Sequence, residues 1–250
     1  MTPDTPYAAA FSHILGIGPM TYQYILNIYG SPKMAYEDSS PKMQKILGPK
    51  LYGELMDWKS KNNPIALIDG LVKKNIQIVE YGAPGYPDQI GQLRDPAICL
   101  YGFGDMDLLV DQQKIFGIVG TRAASSYGRF IAESIAKDLS RQFTIVSGLA
   151  LGIDSVAHRA TLDARGKTIA VLGCGVDIVY PAEHRGLYHD IIKSGGVVIS
   201  EFPPGMTVQK GLFVARNSII SGLSVGVLIV EGAISSGSLI TAKYAAEQGR

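Results

Sequence analysis

The stretch FTIVSGLALGIDSVAHRATLDAR, residues 143–165, contains the three parts from which an α/β fold is built. Residues 143–148 form a short run that is apolar on both faces, which is typical of a parallel strand covered by helices. Small residues follow, and residues 153–165 have the apolar spacing of a helix. The stretch therefore predicts a strand, a small-residue loop and a helix.

The same pattern recurs on both sides of this stretch. Further helices are predicted at about residues 125–141, 184–194 and 237–249. The other predicted strands are IQIVEY (76–81), AICLYG (97–102), IFGIVG (115–120), TIAVLG (168–173), GVVISE (196–201) and VGVLIVE (225–231). From about residue 63 onward, this alternation predicts an α/β fold with a doubly wound, mostly parallel sheet and helices on both faces.

The N-terminal part of the chain predicts helices and no strand. The helical patterns reach residue 15 and then cover residues 20–29, 41–48 and 50–61. The turn GIGP, residues 16–19, fits a helix-hairpin-helix, because glycine permits a sharp turn and proline can open a helix. We expect a small all-helical domain of this SAM-like type over residues 1–62 and a second domain over residues 63–250.

Composition narrows the possible classes of protein. Hydrophobic residues make up 46% and charged residues 18% of the chain, as in folded soluble proteins. No segment is long enough to span a bilayer and the first residues lack a secretory signal, so we expect a cytoplasmic protein without membrane contact. Cys99 and Cys174 lie in apolar runs, which argues against a disulfide or a zinc site. With a net charge of +1, a nucleic-acid site must gather its cations locally.

Small-residue loops follow the predicted strands. Because the carboxyl ends of parallel strands meet at one edge of a sheet, these loops should converge there. Small side chains let backbone amides approach an anion closely. The loops are GTRAASSYG (120–128), SGLALGID (147–154), GCGVD (173–177), SEFPPG (200–205) and EGAISSGS (231–238).

Two of the segments carry groups suited to a nucleic-acid backbone. Arg122 and Ser125 follow Gly120 and Thr121, and a guanidinium beside hydroxyls and amides fits a phosphate, although Ser125 could be only a helix cap. Lys210, Phe213, Arg216 and Asn217 bring cations, an aromatic ring and an amide together. An aromatic residue flanked by cations can hold a single strand, although Phe213 could equally belong to the core.

Catalytic alternatives are weaker. Ser147, Asp154 and His158 suggest a hydrolase triad or a metal pair, but no activated-nucleophile motif such as GxSxG is present. We expect Asp154 to cap a helix and His158 to pack beneath the loops. The run TIAVLGCGVD lacks the third glycine of a dinucleotide fingerprint, which would fall at Ile178, and no Walker motif occurs.

The signatures GIVGTRAAS, SGLALGIDSVAHRATL, TIAVLGCGVDIVYPAEH, SEFPPG, FVARNSIISGLS and VLIVEGAISSGSLITAKYAAEQGR resemble the DNA-processing protein A (DprA/Smf) family over residues 76–250. The resemblance implies an extended Rossmann-like fold that binds single-stranded DNA, forms a homodimer and loads RecA recombinase during natural transformation. It implies no catalytic activity and no cofactor. Since the family pattern continues with a further strand after Arg250, we expect the sequence to be part of a longer chain.

The resemblance also implies positions for the DNA contacts. The phosphate loop falls on Gly120, Thr121 and Arg122, and the basic-aromatic contact falls on Lys210 and Phe213. The family pattern has a second arginine where this sequence has Ser218. The full set of candidate contacts is Gly120, Thr121, Arg122, Ser125, Ser147, Gly148, Lys210, Phe213, Arg216, Asn217, Ser236, Gly237 and Ser238.

Two other functions remain open on the same fold. A nucleotide-processing enzyme of the phosphoribohydrolase type would have a PGGxGT signature followed by a catalytic glutamate. The corresponding loop here reads EGAISSGS, which leaves Glu231 as a lone acid in a nucleotide pocket. The third possibility is a sensor of a small nucleotide without catalytic activity.

Overall fold

The structure, a computed structural model, describes residues 1–110, 114–232 and 236–250, without the side chain of Lys210. The described strands form a seven-stranded sheet. They are β1 (Gln77–Glu80), β2 (Cys99–Gly104), β3 (Ile115–Gly120), β4 (Thr144–Ser147), β5 (Thr168–Val171), β6 (Val197–Ser200) and β7 (Val227–Val230). Their order across the sheet is β1-β2-β6-β5-β4-β3-β7. All seven overlap the strands predicted from the apolar runs of the sequence.

The helices divide into an N-terminal group and a group that covers the sheet. The first group is α1 (Thr5–Ser12), α2 (Pro19–Tyr29), α3 (Pro32–Glu37), α4 (Pro41–Lys61) and α5 (Pro64–Lys73). The second group is α6 (Asp88–Gly91), α7 (Ser126–Leu139), α8 (Ile153–Asp163), α9 (Arg185–Lys193), α10 (Lys210–Leu223) and α11 (Gly237–Glu247). Among the described residues, no helix has both the length and the apolar character that a membrane crossing requires.

The sheet confirms the mostly parallel prediction, and its antiparallel pairs lie at one edge. The pairs β7–β3, β3–β4, β4–β5 and β5–β6 are parallel. The two strands at the other edge, β1 and β2, are antiparallel to each other, and β2 is antiparallel to β6. A parallel crossover needs a covering helix, whereas the connection from β1 to β2 contains only the four-residue α6.

The N-terminal turn forms as its glycines and proline predict. Gly18 precedes α2 and Pro19 is its first residue. A Cβ atom on Gly16 would overlap the side chain of Leu51, so glycine allows this turn to lie against α4. A second kink, at Gly48 with φ of 73°, divides α4 near the predicted gap between two helices.

The hydrophobic core runs from the N-terminal helices into the sheet. Phe11 of α1 and Tyr101 of β2 are both fully buried in one apolar cluster. Polar contacts join the same elements, because the hydroxyls of Ser12 and Tyr101 are 2.7 Å apart and Thr5 donates to Glu80 at 2.8 Å. The helical region therefore packs directly on the β1–β2 edge, and the domain boundary after residue 62 stays a prediction.

Candidate functional site

The loops after β3, β4, β5 and β7 meet at the carboxyl ends of these parallel strands, and we call this surface the rim. Glycines permit their close approach. A Cβ atom on Gly120 would overlap the carbonyl of Val230 and approach Ile153 to 2.6 Å. Gly152 has a φ of 81°, and its Cβ would overlap the carbonyl of Thr121. The rim therefore forms where the sequence predicts it, with its loops in direct contact.

Arg122 and Phe213 come together at the rim. The exposed Arg122 guanidinium lies 5.5 Å from the centre of the half-buried Phe213 ring, within the range of a cation–π contact. Tyr180, in the loop after β5, packs its ring 5.6 Å from Phe213 and is 45% exposed. An exposed cation thus lies beside the half-buried Phe213 ring, whose other neighbour is the exposed ring of Tyr180, although Arg122 and Phe213 are far apart in sequence.

Arg216 was predicted as a DNA contact, and the structure corrects this prediction. Its side chain is 4% exposed, on the inner side of α10. The guanidinium donates to the carbonyl of Val171 at 2.6 Å, to the carbonyl of Gly148, and to the Asn217 amide oxygen at 3.1 Å. Its Nη1 therefore bonds to carbonyls at the ends of β4 and β5, and Arg216 holds the rim together from below.

Four other candidate contacts are also buried. Ser147 is fully buried and donates its hydroxyl to the carbonyl of Ile118 at 2.6 Å. Gly148 is buried against Arg216, because a Cβ there would overlap the guanidinium. Asn217 donates to the carbonyl of Gly237 at 3.2 Å. Ser238 is 7% exposed, so these residues support the loops instead of facing solvent.

A buried acid accompanies Arg216. Asp154 is 5% exposed and accepts the amide N–H of Ala150 at 3.4 Å. It does not cap α8 as predicted, because Gly152 takes that position. Burial raises the pKa of Asp154, and the charge of Arg216 opposes that change. Burial likewise lowers the pKa of Arg216, while Asp154 raises it and the positive charge of Arg122 lowers it further.

His158 packs beneath the rim as predicted. Its Nδ1 is 2.7 Å from the hydroxyl of Thr168, which itself donates to the carbonyl of Ile145, so His158 is the donor. Burial, with the charges of His184 and Arg216, lowers the pKa of His158 to about 3. The imidazole is neutral at physiological pH and is bonded to Thr168, while Ser147 is bonded to the carbonyl of Ile118, so the structure shows no hydrogen bond between these two members of the suggested triad.

Ser125 has two bonding roles at the start of α7. It is the N-cap residue, and its hydroxyl accepts the N–H of Gly128 at 3.0 Å. Its own N–H and hydroxyl donate to the carboxylate of Glu231, the N–H at 2.9 Å. These hydrogen bonds lower the pKa of Glu231. The polar groups predicted to hold a phosphate here already hold a carboxylate.

The remaining candidates lie at the start of α11 and α10. Ser236 precedes α11, and its hydroxyl is 2.7 Å from that of Ser238. Gly237 is exposed beside them. Residues 233–235 of the same loop, and the side chain of Lys210 at the start of α10, lie outside the part of the chain that the structure describes. Tyr180 was missed at the sequence level, although an aromatic residue soon after a strand-end loop is a signal for it.

These features define a class: a Rossmann-like α/β protein whose rim presents an exposed arginine against an aromatic ring, above a buried arginine that is hydrogen-bonded to strand-end carbonyls. The model of the family described as DNA recombination-mediator protein A matches residues 77–250. The chain belongs to this family, and the resemblance to DprA/Smf proteins is confirmed.

Relatives of known name agree with this assignment. The chain is 36% identical over 252 residues to Protein Smf of Synechocystis, covering 99% of this chain and 63% of the relative. It is 42% identical over 179 residues to the DNA processing protein DprA of Bacillus subtilis, covering 71% of this chain and 60% of the relative. The chain thus spans roughly three fifths of the length of these two relatives.

Solved structures of the family share the fold. The DprA of Streptococcus pneumoniae has a TM-score of 0.83 at 32% identity, covering 98% of this chain and 84% of that chain. The DNA processing protein A of Helicobacter pylori, described for its single-stranded DNA binding mode, has a TM-score of 0.62 at 31% identity. That match covers 70% of this chain and 77% of the other.

Proposed function

We propose that the rim binds single-stranded DNA without catalysing a reaction. The observation that carries this proposal is the exposed Arg122 guanidinium beside the Phe213 ring, which in turn packs against the exposed ring of Tyr180. A guanidinium contacts phosphates, and an aromatic ring stacks on an unpaired base of any sequence. Paired bases are not free to stack in this way, so the same arrangement disfavours duplex DNA.

The comparisons support the same ligand. The Helicobacter pylori relative was studied for its single-stranded DNA binding mode, and the Bacillus subtilis relative is named a DNA processing protein. From the family resemblance we further infer that the whole protein acts as a homodimer in the cytoplasm. There it would protect incoming DNA and load RecA recombinase during natural transformation.

The burial pattern divides the proposed contacts into two groups. Arg122, Thr121, Phe213, Ser236 and Gly237 are exposed or partly exposed and are proposed to touch DNA, with Lys210 added from the sequence. The second group supports the loops from within: Ser147, Gly148, Arg216, Asn217 and Ser238. Gly120 is partly exposed and stays a proposed backbone contact, and the exposed Ser125 stays a proposed contact although it also bonds to Glu231. Tyr180 is added to the first group because its exposed ring adjoins Phe213.

The test is an anisotropy titration of a labelled oligo-dT strand against a duplex of equal length. We expect the single strand to bind more tightly. With Arg122 and Lys210 as the cations of one site, the logarithm of affinity should fall with the logarithm of salt at a slope of about −1.4. Arg122→Ala should weaken binding and flatten the slope by about 0.7.

Arg141→Ala is the matched control. Arg141 is 77% exposed and lies just before β4, at the opposite end of the strands from the rim. Its removal changes the net charge by the same amount, so it should leave both affinity and slope nearly unchanged. Equal effects from the two variants, or a preference for duplex, would contradict a site at the rim.

Nucleoside monophosphates tested in the same assay separate DNA binding from the nucleotide-processing and sensor alternatives. A nucleotide pocket of that kind would use Glu231 as a free acid. In the structure this carboxylate accepts two hydrogen bonds from Ser125. We therefore expect nucleoside monophosphates to compete with oligo-dT weakly or not at all.

A further inference from the structure

Glu231, the first residue after β7, is tied to both ends of the loop that carries Arg122. Its carbonyl accepts the N–H of Thr121 at 2.9 Å. Its carboxylate accepts the N–H of Ser125 at 2.9 Å and also the hydroxyl of Ser125. The backbone of Glu231 has a φ of 52°, a left-handed conformation that residues other than glycine seldom adopt. One residue in an uncommon conformation therefore holds residues 121–125.

Gly128 supplies a separate observation. A Cβ atom at this position would overlap the carboxylate of Glu231. Glycine lowers the stability of a helix compared with alanine, yet it stands in the first turn of α7. Gly128 therefore leaves space for the Glu231 carboxylate, although glycine is less favourable than alanine in a helix.

The carboxylate also occupies a position that an anion would favour. The start of a helix carries partial positive charge and unpaired amides, and Ser125 directs its own N–H to Glu231 there. The hydrogen bonds from Ser125 lower the pKa of Glu231, so the group is ionised at neutral pH. A phosphate approaching the rim finds the start of α7 taken and Arg122 exposed.

We propose that Glu231 is a positioning residue for the single-stranded DNA contact. It fixes the 121–125 loop so that Arg122 stays beside Phe213, and it directs the phosphate to Arg122 by occupying the start of α7. This inference rests on the proposed function.

The sign of the effect separates positioning from simple electrostatics. A carboxylate near a phosphate repels it, so electrostatics alone predicts that Glu231→Ala tightens DNA binding. Positioning predicts the opposite, because the released loop no longer holds Arg122 in place. A hydrogen bond to a charged group contributes about 1.5–3 kcal/mol, so loss of the Arg122 contact corresponds to weakening of about tenfold or more.

The experiment measures oligo-dT affinity and thermal stability for a set of variants. Glu231→Ala should weaken binding about tenfold or more, and Arg122→Ala combined with it should add almost nothing. Glu231→Gln should restore most of the affinity, because its amide oxygen can still accept the Ser125 N–H. Glu183→Ala is the control. It removes an exposed carboxylate three residues after Tyr180, so its effect should be neutral or a slight tightening.

Gly128→Ala is the independent variant. It leaves Glu231 in place but forces the carboxylate away, so it should weaken DNA binding like Glu231→Ala while the helix keeps its stability. The inference is overturned if Glu231→Ala binds oligo-dT as well as the unchanged protein or more tightly. Additive effects with Arg122→Ala would overturn it as well. Failure of the unchanged protein to bind oligo-dT would instead refute the proposed function.

Discussion

Replacing Arg216 with alanine should reduce stability strongly, although the residue lies beside the proposed DNA site. The side chain is 4% exposed and donates to the carbonyls of Gly148 and Val171. Its charge also favours the ionised form of the buried Asp154. The variant would leave two carbonyls without their donor and one acid without its compensating charge.

The magnitude follows from these losses. Each buried carbonyl left without a donor costs about 1–3 kcal/mol, so the two together cost about 2–6 kcal/mol, and loss of the charge that favours ionised Asp154 adds to this. For a chain of this length each kcal/mol lowers Tm by about 2–4 °C, so the expected decrease is about 4–24 °C. Without Arg216 the pKa of Asp154 in the folded protein rises further. As pH rises, the Asp154 carboxyl of the unfolded chain therefore loses its proton before that of the folded variant. The stability that Arg216→Ala loses relative to the unchanged protein should therefore be smaller near pH 4 than near pH 8.

The assay is a pair of thermal melts at these two pH values, with Arg122→Ala as the comparison. Arg122 is exposed, so its removal should change stability by no more than about 0.5 kcal/mol. An Arg216→Ala protein that melts within about 2 °C of the unchanged protein but loses oligo-dT affinity would refute the buried role. That result would instead indicate that Arg216 contacts DNA directly.

Two further predictions concern Phe213 and Glu201. Phe213→Ala should weaken oligo-dT binding by about 1–3 kcal/mol with the salt slope unchanged, whereas a large loss of stability with normal binding would place Phe213 in the core. Burial raises the pKa of Glu201 from 4.5 to about 7, so the folded chain loses stability as pH rises through this interval. Glu201→Gln should therefore be more stable than the unchanged protein at pH 8, by up to about 3 kcal/mol. Below pH 4.5 the two proteins should be equally stable. Equal melting temperatures at pH 8 would contradict this prediction.

The sequence predicts the sheet well because its strands carry strong local signals. Runs such as IFGIVG at residues 115–120 are apolar on both faces, and the observed β3 has the same bounds. Convergence of the loops then follows from parallel pairing alone. The mostly parallel prediction does not say which strands are antiparallel, because local pattern does not report strand direction. That direction depends on the connection after β1, which contains only the short α6.

The sequence predicts the site less well, because burial at the rim is decided by tertiary contacts. The segment FVARNSIISGLS lies outside the predicted helices, although residues 219, 220 and 223 have helical spacing. Once α10 forms, Arg216 points to carbonyls of β4 and β5, which are distant in sequence. The bond between Ser125 and Glu231 likewise joins residues far apart in the chain.

The buried and exposed arginines act on the same ring from different positions. The guanidinium of Arg216 lies 5.8 Å from the centre of Phe213 and that of Arg122 lies 5.5 Å from it. Arg216 is fixed by the carbonyls of Gly148 and Val171, and the buried Asp154 offsets only part of its charge. Because the two positive charges repel each other, a phosphate bound by Arg122 would relieve that repulsion. In the proposed DNA complex, Arg216 would therefore favour the phosphate through its electric field and not through contact.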